Sequence, residues 1–365
     1  MSSLLEPVLV GGKLHLRNRV VMGSMTRNRC VDDFKPGPEQ VKHYSDRASD
    51  GTGLIITEGT FVDWSGCDWE FSPVMITEDH ARAWQKVVDE VHGHKGKIYL
   101  QAWHLGRCQN ENLPIMSEKN QVVLAPSKGH TENITEIERP SDVVGIYRRA
   151  ASLARSAGFD GIELLAQGGY LPQQFLNSRA NLRKDDYGGS VKNRCRFTLE
   201  VVDAIADVFG GPEFVCVKVC PTDFLNDSVV TFEEMKEVYT YLIEKLVERR
   251  VGIINISRRG ANHDSKDDSY IESGRPKEFP LPPGYDPVLD FGSLVKYSGS
   301  PSLLMANQDY TVEEANQLVG GCKADLVSFA RPFICNPNDR GNSIHYGPYT
   351  NPGENYNDWP IATVA

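Results

Sequence analysis

The stretch Ser302–Phe329 reads SLLMANQDYTVEEANQLVGGCKADLVSF and contains two short apolar runs on either side of one amphipathic segment. The apolar runs, Ser302–Asn307 and Ala324–Phe329, have the near-continuous apolar content of strands that are buried on both faces of a parallel sheet. The segment between them, Thr311–Val319, opens with a Thr that is followed three residues later by Glu, which is the capping-box pattern of a helix start. The stretch therefore predicts two parallel strands joined by a helix.

The same alternation of apolar and amphipathic segments extends along the whole chain. Six further strands are predicted at Val20–Met25, Gly53–Glu58, Lys97–Trp103, Phe159–Leu165, Phe214–Val219 and Val251–Ser257. Four further helices are predicted at His80–His92, Pro140–Ala157, Asn193–Phe209 and Thr231–Arg249, the last again with a Thr-x-x-Glu start. Eight strands with intervening helices predict an α/β fold, a (β/α)8 TIM barrel that forms a single domain over residues 1–365. A doubly wound sheet is less favoured, because no strand is followed by Gly-x-Gly-x-x-Gly.

Three segments outside this alternation are expected to close or surround the barrel. The N-terminal VLVGGKLHLRNRV predicts a β-hairpin cap, with its turn at Gly11-Gly12. Two long irregular stretches, Leu105–Glu138 and Arg258–Pro287, follow the third and sixth predicted strands. Because TIM-barrel active sites lie at the C-terminal ends of the strands, we expect both stretches at the active-site face.

Composition excludes several classes of function. The chain has 365 residues, with 39 Lys and Arg against 49 Asp and Glu, a formal net charge of −10. A general nucleic-acid or anionic-membrane binder normally carries the opposite sign. The sequence has no apolar run of membrane-spanning length and no leader pattern at its start, so we expect a cytoplasmic protein that acts on a small molecule.

The cysteines predict neither disulfides nor a metal site. Eight cysteines in 365 residues are too sparse for a disulfide framework, and none forms a Cys-x-x-Cys pair. Cys216 and Cys220 lie on one face of a predicted strand, where burial in the core is the expected outcome. We therefore predict no metal.

Small and polar residues gather where the predicted strands end. A set of amides, hydroxyls and one cation at a barrel mouth, followed by a small-residue turn with an arginine, is suited to a large, flat ligand that carries a phosphate. The residues concerned are Met25 and Thr26, Glu58 and Gly59, Gln101 and Trp103, Leu165 to Gly168, Lys218, Ala306 and Asn307, and Ala330 and Arg331. These residues alone predict a phosphorylated cofactor or substrate at the barrel mouth.

At this point the sequence resembles the Old Yellow Enzyme family of FMN-dependent oxidoreductases. The motifs that carry the resemblance occur in family order from about residue 5 to residue 360, and the segment Asn181–Phe197 is the most specific of them. They are Thr26-Arg27, Gly53-Leu-Ile-Ile-Thr-Glu58-Gly59-Thr60, Gln101-Ala-Trp103-His104-Leu-Gly-Arg107, Gly169-Tyr170-Leu171, Gln174-Phe175-Leu176, Asn181-x-Arg183-x-Asp185-x-Tyr187-Gly188-Gly189-Ser190, Asn193-Arg194, Asp325 to Ile334, and Asn336-Pro337.

The resemblance implies a tightly bound FMN that NADPH or NADH reduces, and hydride transfer from flavin N5 to an activated alkene. It also implies a role for individual residues: Met25 and Thr26 at the flavin edge, Gly59 and Gln101 at the pyrimidine ring, Lys218 beside N1, and Ala306, Asn307, Ala330 and Arg331 at the phosphate. Tyr170 takes the position of the family's proton donor. A tyrosine with a pKa near 10 is protonated at neutral pH, as a general acid must be.

The sequence departs from the family pattern where the substrate is activated. The family has His, then Asn or His, at two positions that read Leu165 and Gly168 here, and neither side chain is a hydrogen-bond donor. Each such donor is typically worth a few kcal/mol, so ordinary enone reduction is expected to be slow unless Gln167, His104 or Trp103 substitutes. With Tyr356, the residues Trp103, Leu165, Gln167 and Gly168 are the predicted substrate contacts.

Two further departures concern charge. Lys218 replaces the family's usual Arg and supplies a point charge without the bidentate fork. The loop after the sixth strand carries Arg258, Arg259 and His263, either as a site for an anionic substrate or the NADPH phosphate or as a solvated basic turn.

Three functional hypotheses follow from the sequence. The first is an NAD(P)H-consuming ene-reductase that acts on an α,β-unsaturated carbonyl compound. The second is a specialised flavoenzyme of the same fold that isomerises, cyclises or oxidises a natural-product intermediate, with Leu165 shaping an apolar pocket. The third is a catalytically idle flavin-binding protein, which the presence of Tyr170 argues against. The sequence leaves a homodimer open.

Overall fold

Eight parallel strands close into a barrel in the computed structural model, which describes residues 2–30, 32–128, 133–259, 275–335 and 356–357. In chain order the strands are β1 (Val8–Val10), β2 (Leu14–Leu16), β3 (Val20–Met22), β4 (Leu54–Phe61), β5 (Ile98–Trp103), β6 (Val123–Ala125), β7 (Ile134–Glu136), β8 (Gly161–Ala166), β9 (Val215–Val219), β10 (Ile253–Ser257), β11 (Leu303–Asn307) and β12 (Leu326–Phe329). The barrel order is β3-β4-β5-β8-β9-β10-β11-β12, and β12 pairs with β3 to close it. The predicted TIM barrel is thus confirmed, and the open doubly wound sheet is excluded.

The α-helices of the described residues pack around the barrel. They are α1 (Pro38–Ser49), α2 (Glu78–Gly93), α3 (Pro114–Glu118), α4 (Pro140–Ser156), α5 (Leu171–Leu176), α6 (Val191–Phe209), α7 (Phe232–Glu248), α8 (Pro287–Gly292), α9 (Val312–Gly320) and α10 (Arg331–Cys335). The five predicted helices correspond to α2, α4, α6, α7 and α9. Helix α1 has no apolar stripe for a periodicity argument to find, because its buried face consists of Gln40, His43, Tyr44 and Ala48.

Both predicted threonine caps are present. The Thr311 side chain accepts the Glu314 N–H, and the Glu314 side chain returns the bond to the Thr311 N–H, which completes a capping box. Thr231 accepts the Glu234 N–H in the same way. The Glu234 carboxylate instead accepts hydrogen bonds from Ser178, so at α7 a tertiary contact replaces the second half of the box.

The barrel interior changes from apolar to polar along the strands. The lower layer is an apolar cluster that includes Val21, Ile56, Tyr99, Cys216 and Leu326. Higher up, the residues that follow at the same phase of the strands are polar. This upper layer contains Gln101, Glu163, Lys218, Asn255, Ser257, Asn307 and Ser328, all of them buried. Because successive side chains of a strand alternate between the two faces, residues two apart share the interior.

The hairpin of β1 and β2 closes the lower end of the barrel. Val10, Leu14 and Leu16 belong to the same apolar cluster as the lower layer. Val10 pairs with Leu14, so Lys13 joins the two predicted glycines in the turn. Gly11 has a φ of 53°, and a side chain there would overlap Glu213, so the turn requires glycine.

The two long stretches follow β5 and β10, the third and sixth barrel strands, as predicted. The first is more regular than expected, because it contains α3 and the parallel pair β6 and β7. Half of the second stretch, residues 260–274 with His263 among them, lies outside the described residues.

Cysteines and apolar helices add little to the functional argument. Within the described residues no group of His, Cys, Asp or Glu could hold a metal ion. Cys216 and Cys220 are fully buried free thiols, which agrees with their predicted place in the core. No helix in the described part of the chain is both long and apolar enough to cross a membrane.

Candidate active site

A chain of hydrogen bonds crosses the upper layer of the barrel from β3 to β10. The Ser24 hydroxyl donates to Gln101 Oε1 at 2.7 Å, and Gln101 Nε2 donates to Glu163 Oε1 at 2.7 Å. On the far side, Asn255 Nδ2 donates to Glu163 Oε2 at 2.7 Å, and the Cys216 thiol lies 3.3 Å from the same oxygen. An ionised carboxylate can only accept, so Glu163 fixes the orientation of both amide groups.

Sequence reasoning missed Ser24, Glu163 and Asn255. The signal was available for Glu163, which is the one charged residue inside the apolar run of β8. A charge buried inside a barrel requires partners, and Glu163 has no exposed surface.

Lys218 brings a positive charge into this layer. It lies on β9 in register with Leu165 of β8 and Asn255 of β10. Its side chain is 7% exposed, and no described residue forms an ion pair or hydrogen bond with its ammonium. Buried charges are normally paired, so this ammonium is suited to an anionic ligand at the barrel mouth.

An apolar and aromatic wall stands beside Lys218. Leu165 belongs to a buried cluster with Phe61 and Trp103, and the Tyr170 ring packs against it. The Trp103 ring stacks on Phe61 at 4.5 Å and meets the Tyr170 ring edge-on at 5.1 Å. Trp103 Nε1 is buried and has no hydrogen-bond partner in the described structure. Gly59, in register with Gln101, leaves room for the Trp103 ring, because a Cβ there would overlap it.

Tyr170 stands at the end of a two-glycine turn after β8. Gly168 has a φ of +76° and Gly169 a φ of +72°, a conformation that favours glycine. Burial raises the pKa of the Tyr170 hydroxyl, and the nearby Cys108 and Asp223 raise it further. The phenol is therefore protonated across the physiological pH range, as a proton donor must be.

Gln167 is turned toward the barrel axis rather than into the wall. Its Oε1 accepts from the Ser257 hydroxyl at 2.8 Å, and the same hydroxyl accepts from Asn307 Nδ2 at 2.7 Å. Ala306 points outward into the core between barrel and helices. Neither Ala306 nor Ala330 has a positive φ, so alanine fits where the family often has glycine.

Arg331 begins α10 at the end of β12 and faces a carboxylate. Its Nη1 lies 3.6 Å from Asp309 Oδ1, while Arg259 Nη2 lies 3.0 Å from Asp309 Oδ2. Arg258 turns away from the mouth: its guanidinium donates to Gln308 O at 2.8 Å and pairs with Glu314. Two guanidiniums thus converge where the strands end, around one acidic group.

Other predicted residues are placed apart from this wall. His104 is fully buried; its Nδ1 accepts the Gly106 N–H, and its Nε2 lies 3.2 Å from the Ser65 hydroxyl. Burial lowers the pKa of His104 to about 4, so the ring is neutral and both nitrogens are engaged.

Tyr356 is also fully buried, away from the ring contacts that surround Tyr170. It stacks on His43 at 4.1 Å and lies against the guanidiniums of Arg27 and Arg29. Met25 and Thr26 are half-buried beyond β3, and the Thr26 hydroxyl has no hydrogen-bond partner within the described ranges.

The sequence matches the model of the NADH:flavin oxidoreductase / NADH oxidase family over residues 3–341. The chain belongs to this family. A probable flavin mononucleotide-dependent alkene reductase from Leishmania infantum is 30% identical over 387 aligned positions, which cover 98% of this chain and 97% of that protein. The 12-oxophytodienoate reductase 2 of Arabidopsis thaliana is 30% identical over 348 positions, covering 92% and 86%.

Solved structures lead to the same family. Morphinone reductase in complex with tetrahydroNAD superposes with a TM-score of 0.81 at 30% identity, over 100% of this chain and 98% of that one. An Old Yellow Enzyme homologue from Zymomonas mobilis gives a TM-score of 0.81 at 26% identity, over 99% and 100%. The Old Yellow Enzyme resemblance is therefore confirmed, and the chain is an FMN-dependent oxidoreductase with a nicotinamide hydride donor.

The residues at the barrel mouth fit FMN. Reduced flavin is anionic, and Lys218 is a buried cation for which no described residue supplies a counter-ion. The Gln101 amide is oriented by Glu163, and the converging Arg331 and Arg259 are suited to a phosphate.

Proposed function

We propose that this chain reduces the C=C bond of an α,β-unsaturated carbonyl compound, with Tyr170 as the proton donor. The observation that carries the proposal is the placement of a protonated phenol at the barrel mouth, beside Leu165 and on the same rim as the unpaired Lys218. FMN, when bound, supplies the hydride. Tyr170 supplies the proton to the α-carbon, which a phenol can do because its pKa stays above neutral pH.

Cofactor-binding roles are assigned to the residues that the resemblance named. When FMN is bound, Lys218 would balance the negative charge of the reduced flavin, and Gln101 and Gly59 would hold its pyrimidine ring. Met25 and Thr26 would contact the flavin. Arg331 and backbone N–H groups at Ala306, Asn307 and Ala330 would hold the phosphate.

Substrate activation must come from groups other than those the family uses. Leu165 is packed in the apolar cluster, and Gly168 has no side chain. His104 is neutral with both ring nitrogens occupied, so it is not available. Two donors remain at the mouth. Trp103 Nε1 is buried and has no hydrogen-bond partner in the described structure, and the Gln167 side chain is bonded through Oε1, which leaves its Nε2 as a donor. We assign substrate contact to these two, together with Leu165 and Gly168. The predicted substrate contact by Tyr356 is not retained, because its ring is fully buried against His43, Arg27 and Arg29.

The second candidate is a flavoenzyme of specialised metabolism that isomerises, cyclises or oxidises its substrate. Leu165 favours it, because an apolar side chain in place of a hydrogen-bond donor suits a hydrophobic substrate that needs little carbonyl activation. In this case Tyr170 still acts as the acid, and simple enones fail to reoxidise the enzyme.

An anaerobic titration tests the proposal. NADPH is added to the purified yellow enzyme until the flavin band bleaches, and 2-cyclohexenone is then added. Recovery of the band establishes ene-reduction, and bleaching without recovery favours the second candidate.

The Tyr170→Phe variant should bleach normally but recover at least tenfold more slowly, since the phenol enters only the second half-reaction. Tyr187→Phe is the matched control, because the Tyr187 hydroxyl donates to Glu200 on α6 at 2.8 Å. Equal recovery rates in Tyr170→Phe and the wild type would remove Tyr170 as the acid.

A further inference from the structure

We propose that Asp223 is a positioning residue for Tyr170: with Asn226, it holds the two-glycine turn that presents the phenol to the substrate. Both residues lie in the loop after β9, the strand that pairs with β8, so the loop is next to the turn on the barrel rim. The inference rests on the proposed role of Tyr170 as proton donor.

Side chains of the loop after β9 form hydrogen bonds with both the N–H and the carbonyl group of Gly168. The Gly168 N–H donates to Asp223 Oδ2 at 2.5 Å, and Asn226 Nδ2 donates to Gly168 O at 2.6 Å. The next residue is fixed as well: the Gly169 N–H donates to Gln173 Oε1 at 2.7 Å, and Gly169 O accepts from Gln174 Nε2 at 2.7 Å. The backbone polar groups of the turn are thus held by side chains.

Asp223 is itself rigidly placed. Its Oδ1 accepts the N–H groups of Phe224 at 2.9 Å and Leu225 at 3.2 Å, and the residue is 2% exposed. The carboxylate therefore accepts three N–H donors on two oxygens. An asparagine has one acceptor oxygen and one NH₂ group. Its NH₂ group would face at least one of the backbone N–H donors, so asparagine cannot accept all three hydrogen bonds.

Packing couples the turn to the Tyr170 ring. A Cβ at Gly168 would lie 2.6 Å from Tyr170 Cε2, and a Cβ at Gly169 would lie 2.6 Å from Asn226 Cβ. The turn fills the space between the ring and the loop after β9. If the hydrogen bond between Gly168 and Asp223 is lost, the turn shifts. The Tyr170 phenol then moves with it, because the turn and the ring are closely packed.

The charge of Asp223 is sensitive to pH. Burial raises the pKa of Asp223 to about 6, against the three N–H donors and Arg275, which favour the ionised form. The other titratable groups that face it are Cys220 from its own loop, Tyr170 from the turn and Tyr239 from α7. Below pH 6 the carboxyl group takes up a proton and accepts fewer hydrogen bonds, so proton delivery should weaken as the pH falls through 6.

The experiment compares the two half-reactions of the holoenzyme by stopped flow between pH 5 and 8. Asp223→Asn should reduce with NADPH at a rate within twofold of the wild type, because hydride transfer to the flavin requires no proton from Tyr170. Reoxidation by 2-cyclohexenone at pH 7.5 should be at least tenfold slower. The wild type should lose reoxidation rate below pH 6, and Asp223→Asn should lack that inflection. Asp227→Asn is the control: it removes a charge from the same loop, and Asp227 pairs with Arg107 and Arg179.

Two outcomes of this comparison overturn the inference. They are wild-type reoxidation in Asp223→Asn, and an inflection near pH 6 that persists in that variant. Asn226→Ala provides a second variant should Asp223→Asn fail to fold, and it should also slow reoxidation alone.

A failure of the proposed function is distinguished by an activity-free readout. Tyrosine labelled at the ring Cζ gives one NMR signal per tyrosine, and the Tyr170 signal is the one lost in Tyr170→Phe. That signal should shift near pH 6 in the wild type and not in Asp223→Asn. If 2-cyclohexenone does not reoxidise the wild-type enzyme, the proposed ene-reduction is wrong. The NMR titration still tests whether Asp223 positions Tyr170, because it does not depend on turnover.

Discussion

Lys218 is a buried cation that forms no ion pair or hydrogen bond with any described residue. A charge-assisted contact to an anionic ligand is worth about 1.5–3 kcal/mol, which corresponds to roughly tenfold to hundredfold in affinity. Lys218→Met should weaken the binding of reduced FMN by that factor, and Lys218→Arg should retain most of it. Anaerobic equilibrium dialysis of chemically reduced FMN, with the flavin absorbance read after reoxidation, measures both.

The comparison between the two Lys218 variants separates charge from packing. Methionine has a similar length and no charge, so unchanged FMN affinity in Lys218→Met would show that the ammonium serves another ligand. The Lys218→Arg variant restores the residue that the family usually carries, with a broader fork.

The two-glycine turn after β8 explains why Gly168 replaces the side-chain donor of the family. From the sequence alone, this replacement is only the loss of a hydrogen-bond donor. Gly168 stands where the family has a side-chain donor, but its φ of +76° and the Tyr170 ring leave no room for a Cβ. An asparagine at this position would tolerate the φ and still meet the ring. Restoring the family residue at 168 would therefore add a donor for substrate activation and at the same time displace the Tyr170 ring.

Gly168→Ala and Gly189→Ala form a matched pair for this element. Gly189 has nearly the same φ, +75°, and nothing lies within 4 Å of a Cβ placed there. Gly189→Ala should cost roughly 1–2 kcal/mol of unfolding free energy from the left-handed backbone alone. Gly168→Ala should cost more and also slow reoxidation, because Tyr170 must move. Urea titration and stopped flow provide the two measurements, and equal effects of the two changes would contradict the packing argument.

In the most specific family segment, Asn181–Phe197, two arginines make contacts that hold the fold together. Arg183 binds Asp185 and the carbonyl groups of Pro126 and Ile137 beside the β6 and β7 pair. Arg194 donates to Leu176 O at the end of α5 and pairs with Glu234. A sequence signature that identifies a family need not lie in its active site.

The limits of sequence reasoning follow from the range of each signal. Strands β3–β5 and β8–β12 were predictable because each is a local apolar run. Strand-end chemistry predicted a phosphorylated ligand at the barrel mouth because a barrel brings strand ends together, and the family resemblance then assigned roles to Lys218 and Tyr170. Asp223 was missed, since its importance depends on a hydrogen bond to a residue 55 positions away.

At the scale of the whole molecule, one buried carboxyl group should make stability depend on pH. Burial raises the pKa of Glu58 from 4.5 to about 7, although Arg27 and Arg29 favour its charged form. The folded state therefore holds a proton that the unfolded chain releases. The resulting stability is fully present below pH 4.5 and is lost as the pH rises to 7, by roughly 3 kcal/mol.

Glu58→Gln should flatten this dependence, because the amide does not titrate. Urea unfolding of the FMN-saturated protein between pH 4.5 and 8 measures it, with the exposed Glu118→Gln as control. The same slope in Glu58→Gln and the wild type would place the pH dependence elsewhere, with Asp223 the next group to test.

The hairpin at the lower end of the barrel has a kinetic consequence. Val10, Leu14 and Leu16 seal that end with the apolar layer, so among the described residues the open end of the barrel is the rim that carries Tyr170. The nicotinamide and the compound to be reduced must then use the same opening in turn. Each should act as a competitive inhibitor of the other's half-reaction. Double-reciprocal initial-rate plots should therefore give parallel lines at low concentrations of both reactants, and lines of rising slope as the fixed reactant reaches inhibitory concentrations.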